Sequence, residues 1–407
     1  MKLLVFSSYL TIPNLPGFNK NQSGFGYMVA AITLGLGKFN NLDIDVLTQS
    51  NFTNGANYGA INFLKRTPAK LLSFLSIQTL IHAFKEKSRY NNTDFKRQLL
   101  YTCTSNYFKS IVEIYDVIHI HGIGSYTFEI IDYCIKNNIK TVVTIHGINY
   151  LNESISISDF QREKEKLFIQ NIITSKTTTL TVISKGIKNR IKESLPINSN
   201  NIEVIQNFHD FTEEYKFDKQ DIRKKYNIPN SAKIILSIGN YSINKNQKQL
   251  TDIFEELNSD DTYLLFLGTG TEELNNHIDS YRSKNRIIVC GHIDKNLLPN
   301  YYLHSSILAV TSISEGFGLP MTEALSFGLP VITFEDIDAV GDIFENNNME
   351  LVKERTTSSF NRHLTEALHK DWDKKKLKNS VKKFSPNIIL TQYNALFEVV
   401  KNNIIRK

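Results

Sequence analysis

Short runs of β-branched and apolar residues alternate with longer amphipathic stretches along the whole chain. The runs have the composition of strands buried on both faces, and the stretches between them are long enough to form helices. This alternation predicts an α/β fold in which right-handed crossovers join parallel strands. The predicted strands are 3–6, 45–48, 117–120, 141–145, 180–183, 202–205, 234–238, 263–267, 287–289, 307–310 and 331–333.

The apolar pattern lapses between about residues 207 and 231. Residues 210–223 are charged and aromatic, and Asn-Ile-Pro-Asn follows at 227–230. A chain of 407 residues is also too long for one ordinary core. We therefore predict two Rossmann-like domains that face each other across a cleft, with the boundary at residues 208 and 209.

Three predicted strands in the second half lead directly into glycine, at Gly239, Gly268 and Gly291. A glycine at the carboxyl end of a parallel strand lets the backbone approach a ligand, and ligands of open α/β sheets bind at that edge. Ordinary tight turns use glycine in the same way. Each of these glycines alone is therefore weak support for a binding site.

Composition and charge fit a globular protein, with 41% hydrophobic residues, 22% charged residues and a net charge of +6. The charge permits contact with phosphate groups or an anionic membrane, and we predict no nucleic-acid partner. Cys103, Cys134 and Cys290 are far apart and contain no C-x-x-C pair. We therefore expect reduced thiols in the cytoplasm, without a disulfide framework or a zinc site.

Neither a signal peptide nor a membrane span is expected, because the first apolar run ends at Ser7 and no run is long enough to cross a bilayer. Residues 65–97 are strongly basic and contain the apolar stretches 71–75 and 80–84. This combination is typical of an interfacial helix that contacts anionic lipid at the inner face of a membrane. It is equally typical of an ordinary surface helix. The basic residues are Lys65, Arg66, Lys70, Lys85, Lys87, Arg89, Lys96 and Arg97.

The most informative segment is residues 314–332, Ser-Glu-Gly-Phe-Gly-Leu-Pro-Met-Thr-Glu-Ala-Leu-Ser-Phe-Gly-Leu-Pro-Val-Ile. Pro320 suits a first helical position and Gly328 a C-terminal cap, which predicts a short helix over 320–327. The loop Gly316-Phe317-Gly318 can therefore present backbone N–H groups at a helix N-terminus. Such groups and the helix dipole favour a pyrophosphate.

Glu315 and Glu323 lie on either side of this predicted anion site. Their charge cannot favour a phosphate, so we interpret them as acceptors for sugar hydroxyl groups. Glu323 could instead complement the helix dipole or complete a cap. Glu315, which precedes a glycine loop, has no such structural explanation.

The segment resembles the donor-site signature of the family-4 retaining glycosyltransferases of group 1, which have the GT-B fold. The shared features are two glutamates seven residues apart around Gly-Phe-Gly-Leu-Pro, followed by Glu-Ala and Gly-x-Pro-Val. The resemblance implies an acceptor-binding domain of residues 1–208 and a nucleotide-sugar domain of residues 209–385. It also implies that the C-terminal helix, 386–407, packs back on the first domain.

Weaker similarities extend along most of the chain. Ser23-Gly24-Phe25-Gly26 resembles the N-terminal glycine loop of the family, and Val-Thr-Ile-His146-Gly resembles its strand that ends in His-Gly. Gly239-Asn240 with Lys245 is similar to the phosphate-binding segment. The pair 268–270 and 291–293, which includes Ile293, resembles the two turns that hold the nucleotide.

The resemblance implies a metal-independent hexosyltransferase that retains anomeric configuration. Glu315, Lys245 and His146 would be catalytic, with Glu315 on the donor sugar and His146 near the anomeric centre or the primary hydroxyl of the sugar. His146 could also be an imidazole satisfied by backbone at a strand end. The residues implied in donor binding are Glu323, Gly24, Gly26, Gly239, Asn240, Ile293, Gly316, Phe317, Gly318 and Leu319.

No cofactor or metal is expected. His119 and His121 share a strand face, but a metal would need a third ligand that the sequence does not supply. Asp-x-Asp, the manganese signature of another glycosyltransferase fold, occurs three times at scattered positions, which we interpret as chance: Asp43/Asp45, Asp336/Asp338 and Asp371/Asp373.

Two departures from the family pattern stand out. The family commonly has arginine where this chain has Asn240, which leaves more of the phosphate charge to Lys245, and Phe208 replaces a linker glycine. We expect a UDP-sugar donor, with GDP-mannose next, and a glycan or lipid-linked glycan acceptor of surface polysaccharide synthesis. The alternatives are a nucleotide-sugar epimerase or an inactive nucleotide-sugar-binding scaffold. A nicotinamide-dependent dehydrogenase fits poorly, since no G-x-G-x-x-G follows the first strand.

Overall fold

The computed structural model describes residues 1–12, 15, 17–18, 23–49, 55–87, 89, 95–152, 157–195, 201–211 and 216–402. The chain divides into two compact units. The N-terminal unit contains Met1–Ile183, Ile187–Gln206 and Asn387–Lys407. The C-terminal unit contains Ser184–Gly186 and Asn207–Pro386.

The N-terminal unit contains a sheet with the strand order β3-β4-β2-β1-β5-β6-β7-β8, in which only the pair β3–β4 is antiparallel. Its central strands are apolar and buried, as expected for a sheet covered on both faces. The strands are β1 Lys2–Ser7, β2 Asp43–Thr48, β3 Ala56–Tyr58, β4 Ile61–Phe63, β5 Val117–His121, β6 Thr141–Ile145, β7 Thr178–Val182 and β8 Ile202–Val204.

The C-terminal unit contains a parallel sheet with the order β11-β10-β9-β12-β13-β14. The chain moves outward from β9 to β11 and then returns to start β12 on the other side of β9. This reversal is a topological switch point, where ligands of open α/β sheets bind. The strands are β9 Lys233–Ile238, β10 Thr262–Leu267, β11 Ile287–Gly291, β12 Ile307–Val310, β13 Val331–Phe334 and β14 Met349–Val352.

Helices connect most of these strands, and several begin at a side-chain cap. Ser23, Ser158 and Thr356 each accept a hydrogen bond from an N–H group in the first turn of the helix that follows. The helices are α1 Gly24–Leu36, α2 Pro68–Leu72, α3 Ile77–Lys87, α4 Phe95–Ile111, α5 Phe128–Lys136, α6 Asp159–Thr174, α7 Lys185–Ser194, α8 Ile222–Lys225, α9 Gln247–Leu257, α10 Leu274–Ile278, α11 Leu298–His304, α12 Leu319–Ser326, α13 Val340–Ile343, α14 Thr357–His369, α15 Lys374–Ser380 and α16 Pro386–Lys401.

Helix α16 packs on the N-terminal unit, although it follows the C-terminal unit in the sequence. Tyr393 and Phe397 lie against the His119 ring, with centroids 5.4 and 5.1 Å away. Leu390 lies against Gly35 of α1, where a side chain in place of the glycine hydrogen would overlap it. The amphipathic pattern of α16 therefore buries its apolar face in the first core.

The α/β prediction is confirmed, because both units contain a mainly parallel sheet with helical connections. Every predicted strand forms. Three strands were not predicted: β3 and β4 are only three residues long, and Met349–Val352 is apolar only at its two ends and at Leu351. Within the described ranges, no helix combines the length and apolar character needed to cross a bilayer.

Candidate functional site

The switch point of the C-terminal sheet brings two predicted segments to the same edge. Strand β9 ends at Ile238 and is followed by Gly239 and Asn240, and its neighbour β12 leads into the loop that contains Glu315. Because β9 and β12 are parallel, the segments that follow them emerge on the same side. The predicted phosphate-binding segment and the predicted sugar-binding glutamate therefore belong to one site.

Glycines let the loops after β9, β10 and β11 approach one another closely. The Gly239 N–H donates to Leu267 O over 2.8 Å, and the Gly268 N–H donates to Gly291 O over 2.8 Å. A Cβ atom on Gly268 would lie 2.2 Å from Gly239 O, and Gly268 has a φ of +144°. Gly268 therefore cannot be replaced without moving the loop that contains Gly239.

Asn240 has a structural task in this loop. Its side-chain Oδ1 accepts a hydrogen bond from the Thr269 N–H over 3.0 Å, and Gln247 donates to the carbonyl oxygens of Gly239 and Asn240. Asn240 thus ties the loop after β9 to the loop after β10. It supplies no positive charge, in contrast to the arginine common in the family.

Lys245 and Glu315 form an ion pair at this edge. Lys245 Nζ lies 2.5 Å from Glu315 Oε1, and the two side chains are 24% and 12% exposed. The Ser312 hydroxyl also donates to Glu315 Oε1, over 2.6 Å. An ammonium group has three N–H donors, so contact with one carboxylate oxygen leaves donors for a phosphate.

The loop before α12 is fixed by two side chains from other elements. Arg355 donates to the carbonyl oxygens of Ser312 and Ile313, and two of its nitrogens also contact Asp336 at 2.6 and 2.7 Å. Asn244 donates to Ser314 O over 2.9 Å. The bidentate contact with Asp336 orients the guanidinium group, and through it the loop.

The N-terminus of α12 presents unused donors. No described residue accepts a hydrogen bond from the backbone N–H groups of Gly316, Phe317, Gly318 or Leu319. Gly318 has a φ of +72° and precedes the first residue of α12 without a side-chain cap. Together with the helix dipole, these N–H groups make a site suited to an anion.

The Phe317 side chain is buried and packs edge-on against Phe384, with ring centroids 5.2 Å apart. This contact anchors the Gly-Phe-Gly loop through the side chain of its central residue. The predicted roles of Gly316, Phe317, Gly318 and Leu319 concern their backbone groups, which are available. Ile293 lies half-buried in the loop after β11.

Glu323 lies on the first turns of α12 and has its own environment. The Tyr302 hydroxyl donates to Glu323 Oε2 over 2.6 Å, and the Tyr302 ring stacks on Phe327. Burial raises the pKa of the Glu323 carboxyl to about 7, although Lys295 and the hydrogen bond from Tyr302 oppose the rise. A carboxyl with this pKa can either accept or donate a hydrogen bond near neutral pH.

The N-terminal unit gathers three histidines, with His119 and His121 on β5 and His146 directly after β6. His121 Nδ1 lies 3.1 Å from His146 Nε2, and the His119 and His121 rings have centroids 4.1 Å apart. His119 Nε2 lies 2.8 Å from the Thr144 hydroxyl. In the part of the chain that the structure describes, the buried His119 Nδ1 and His121 Nε2 have no hydrogen-bond partner.

All three imidazoles are held neutral. Burial lowers the pKa of His146 to about 4 and, with help from His146, lowers the pKa of His119 to about 3. Burial and the two neighbouring rings lower the pKa of His121 well below its ordinary value. Within the described ranges, His146 bonds only through Nε2, so its Nδ1 is left for another partner.

Gly24 and Gly26 do not form a loop. They lie in the first turn of α1, where the Ser23 hydroxyl accepts a hydrogen bond from the Gly26 N–H over 3.1 Å. A Cβ atom on Gly26 would lie 2.2 Å from the Thr11 hydroxyl oxygen, whereas Gly24 is unobstructed. The predicted glycine loop is therefore a helix N-terminus, and Gly26 is required there for packing.

Two residues that the sequence did not reveal hold the loop after His146. Glu165 Oε1 accepts from the Asn149 N–H over 3.0 Å, and Arg162 donates to Asn149 O over 2.9 Å. Burial raises the pKa of Glu165 to about 7. Both residues lie on α6, more than ten positions from Asn149, so no local pattern connects them with the loop.

Asp45, Asp336 and Asp373 have structural partners. Asp45 accepts from the Tyr115 hydroxyl, Asp336 pairs with Arg355, and Asp373 caps α15. Among the described residues, one group of side chains has the spacing of metal ligands: Glu350, His363 and Glu366. This group includes neither Lys245 nor Glu315.

Comparison with known proteins adds to this geometry. The chain matches the family described as "Glycosyl transferases group 1" over residues 218–384, and "Glycosyltransferase Family 4" over residues 75–213. It is 23% identical over 298 residues to the N-acetyl-alpha-D-glucosaminyl L-malate synthase of Bacillus anthracis, covering 69% of this chain and 74% of that protein.

Two further similarities cover most of the chain. The amylovoran biosynthesis glycosyltransferase AmsD of Erwinia amylovora is 24% identical over 251 residues, which is 60% of this chain and 68% of that protein. The structure of Anabaena HepE in complex with UDP and glucose superposes with a TM-score of 0.68 at 14% identity, covering 97% of this chain and 99% of the other.

Proposed function

Because the chain belongs to the group 1, family-4 glycosyltransferases of the GT-B fold, we propose that it transfers a sugar from a UDP-sugar to a glycan or lipid-linked glycan. The product would be a surface polysaccharide, and one relative of this chain is named for the biosynthesis of amylovoran. The donor proposal is supported by HepE, which was crystallised with UDP. Anomeric configuration would be retained.

The observation that supports this proposal most is the anion site at the switch point of the C-terminal sheet. Four backbone N–H groups without a described acceptor lie at the N-terminus of α12, and the loop that contains them also contains the partner of Lys245. A nucleotide diphosphate has the negative charge that such a site stabilises. We therefore assign the diphosphate to Lys245 and to residues 316–319.

In the proposed reaction, the bond between the anomeric carbon and the diphosphate oxygen breaks while the acceptor oxygen bonds to the same carbon. The acceptor proton goes to the departing diphosphate, so no separate carboxylate base is assigned. Charge grows on the diphosphate as the bond breaks, and Lys245 and the helix N–H groups stabilise it most in the transition state.

The remaining residues would orient the sugar rings. Glu315 accepts hydrogen bonds from hydroxyl groups of the transferred sugar while it holds Lys245 in place. Glu323 contacts the ribose through the oxygen that Tyr302 leaves unused. His146, neutral and open at Nδ1, would contact the donor sugar near the anomeric centre. These roles extend the resemblance onto the described geometry.

The proposed donor class can be tested by thermal unfolding with UDP, GDP and ADP. A nucleotide that binds only the folded protein stabilises it by about 2.7 kcal/mol at a concentration of one hundred times its Kd. We expect UDP to raise the Tm most. The absence of a shift with all three nucleotides would argue against a nucleotide-sugar transferase. A larger shift with GDP than with UDP would mean that the donor is a GDP-sugar.

A product assay separates transfer from the two alternatives. An epimerase would convert the labelled UDP-sugar without an acceptor, and an inactive scaffold would bind UDP without any product. We expect labelled sugar in the glycan fraction and free UDP in equal amounts. The Glu315→Ala variant should still bind UDP, and we expect it to form both products more slowly by about a hundredfold or more.

We also propose that the reaction needs no metal ion, since Lys245 and the N–H groups of the α12 terminus can stabilise the diphosphate. Prolonged treatment with EDTA is expected to leave the turnover rate unchanged. A loss of activity that Mn²⁺ or Mg²⁺ restores would contradict this proposal. The Glu350, His363 and Glu366 group would then be the first site to mutate.

A further inference from the structure

Helix α3 (Ile77–Lys87) is inverted relative to an ordinary surface helix, because its polar and small residues face the protein. Its buried residues are Thr79 and Ala83. On the same side, His82 Nε2 lies 2.7 Å from Glu129 Oε1 of α5. A surface helix normally packs an apolar stripe inward and shows polar residues to water. Here the polar and small residues make the contacts with the protein.

The large apolar residues of α3 are exposed. They follow the spacing i, i+3, i+4 and i+7, which places them on one face of the helix. We call these four residues the apolar stripe: Ile77, 76% exposed; Leu80, 38%; Ile81, 51%; and Phe84, 62%. At 1.5 Å per residue, the helix that contains the stripe is about 16 Å long.

Further exposed apolar residues flank the apolar stripe in the sequence. Leu72 and Leu75, on the segment just before α3, are 63% and 38% exposed. Phe95, at the start of α4, contacts Phe84 edge-on with ring centroids 6.5 Å apart. Isolated exposed apolar residues are common, but a continuous group on one helix marks an interaction surface.

Positive charge surrounds the apolar stripe. With 100° per residue, Lys85 and Lys87 fall on opposite sides of the stripe, and Lys87 Nζ lies 4.2 Å from the centroid of the Phe84 ring. Other basic residues nearby in sequence are exposed: Lys65, Arg89, Lys96 and Arg97. Arg66 is an exception, because it is buried and donates to the Thr104 hydroxyl, so it does not contribute to this surface.

We propose that the apolar stripe is a membrane-docking surface, and that its partner is a bilayer leaflet with anionic headgroups. The stripe would lie parallel to the membrane plane with its side chains among the upper acyl chains. The flanking lysines would extend to the phosphate groups. The proposal deepens the proposed function, since a lipid-linked acceptor requires an enzyme at the membrane surface, but the docking itself does not rest on that function.

The composition of the surface favours lipid over a protein partner. Five of the seven exposed or half-buried cations in residues 65–97 are lysines and two are arginines. Protein interfaces are depleted of lysine and enriched in arginine, whereas lysine is common beside membrane-facing apolar residues. A single helix that projects an apolar stripe outward also fits a flat, deformable partner.

The test is co-sedimentation of the full chain with vesicles, without donor or acceptor. Vesicles of phosphatidylcholine with phosphatidylglycerol are compared with vesicles of phosphatidylcholine alone. We expect binding to the anionic vesicles that falls on the order of tenfold or more for the double variant Ile81→Gln/Phe84→Gln. Both positions are exposed, so the fold should persist, and thermal unfolding checks this.

Leu167→Gln is the matched control, because Leu167 is 46% exposed on α6 of the same unit but lies outside the stripe. We expect it to bind vesicles like the wild type. Lys85→Gln/Lys87→Gln should weaken binding to anionic vesicles several-fold.

Three results would overturn the proposal. The first is an absence of vesicle binding by the wild type. The second is equal binding by the wild type and Ile81→Gln/Phe84→Gln, or equal binding to both vesicle types. The third is a wild-type dimer in solution that the double variant converts to monomers, since the stripe would then cover a second copy. None of these measurements depends on sugar transfer, so docking and the proposed function can fail separately.

Discussion

The predicted functional residues of the two units lie in contrasting electrostatic environments: they are charged in one unit and neutral in the other. In the C-terminal unit, Lys245 and Glu315 form an ion pair at a partly exposed edge, near backbone N–H groups that donate to none of the described residues. In the N-terminal unit, burial keeps His119, His121 and His146 neutral. The first arrangement suits a ligand with full charges, and the second suits one with hydroxyl groups.

The difference does not come from the sheet architecture. Both sheets place their candidate residues after the carboxyl ends of parallel strands. What differs is the residues that follow: glycine, lysine and a helix N-terminus in one unit, and histidine on and after buried strands in the other. The contrast predicts that losing a charged group will cost more activity than losing a neutral one.

The largest effects are expected at the ion pair. Lys245→Ala and Glu315→Ala should each lower kcat about a hundredfold or more, on the order of 3 kcal/mol of barrier. Because the two side chains are in contact, the double variant should lose much less than the sum of the two barriers. Steady-state kinetics measures both, and Lys248→Ala, an exposed lysine of α9, is the control. Near-normal rates in both single variants would refute their assigned roles.

His146→Ala should have a smaller effect. A neutral hydrogen bond contributes about 0.5–1.5 kcal/mol, so we expect kcat/KM to fall by about two- to thirteenfold. His369→Gln, which changes an exposed histidine of α14, should leave kcat/KM unchanged. A loss as large as that of Lys245→Ala would contradict the contrast between the units and would give His146 a role in charge stabilisation.

The smallest expected effects concern the free energy of unfolding, to which His146 and Glu323 contribute with opposite dependences on pH. His146 has a pKa of about 4 in the fold and 6.5 as its ordinary value, so the unfolded chain binds more protons between these values and stability falls as the pH is lowered. Glu323 has a raised pKa of about 7, so its contribution falls as the pH rises from 4.5 to 7.

The two slopes can be separated by thermal unfolding between pH 4 and 7.5. His146→Asn should reduce the loss of Tm on the acid side, and Glu323→Gln should reduce the loss between pH 4.5 and 7, each by a few degrees. Identical pH profiles for the wild type and both variants would mean that neither group has a perturbed pKa.

Local patterns predicted the strands and α12 because each depends on residues close together in the sequence. The apolar runs identified β1 and β5, and Pro320 with Gly328 bounded α12 within one residue. The prediction of a glycine loop at Gly24 was wrong, since Ser23 caps a helix there.

The supporting contacts of the site could not be predicted. Arg355 reaches the loop before α12 from more than forty positions away, and Tyr302 reaches Glu323 from 21 positions away. His121 shares a hydrogen bond with His146 only because β5 and β6 are neighbours. Such contacts depend on strand order, which hydrophobic periodicity does not specify.

The path of α16 has a consequence for the synthesis of the chain. Because this helix completes the N-terminal unit after the C-terminal unit has been made, the first unit leaves the ribosome without part of its core. The apolar surface that Tyr393 and Phe397 cover, including the His119 ring, stays uncovered until translation reaches residue 401. A premature stop near residue 386 would therefore damage the beginning of the protein, and such a fragment should be prone to aggregation and proteolysis.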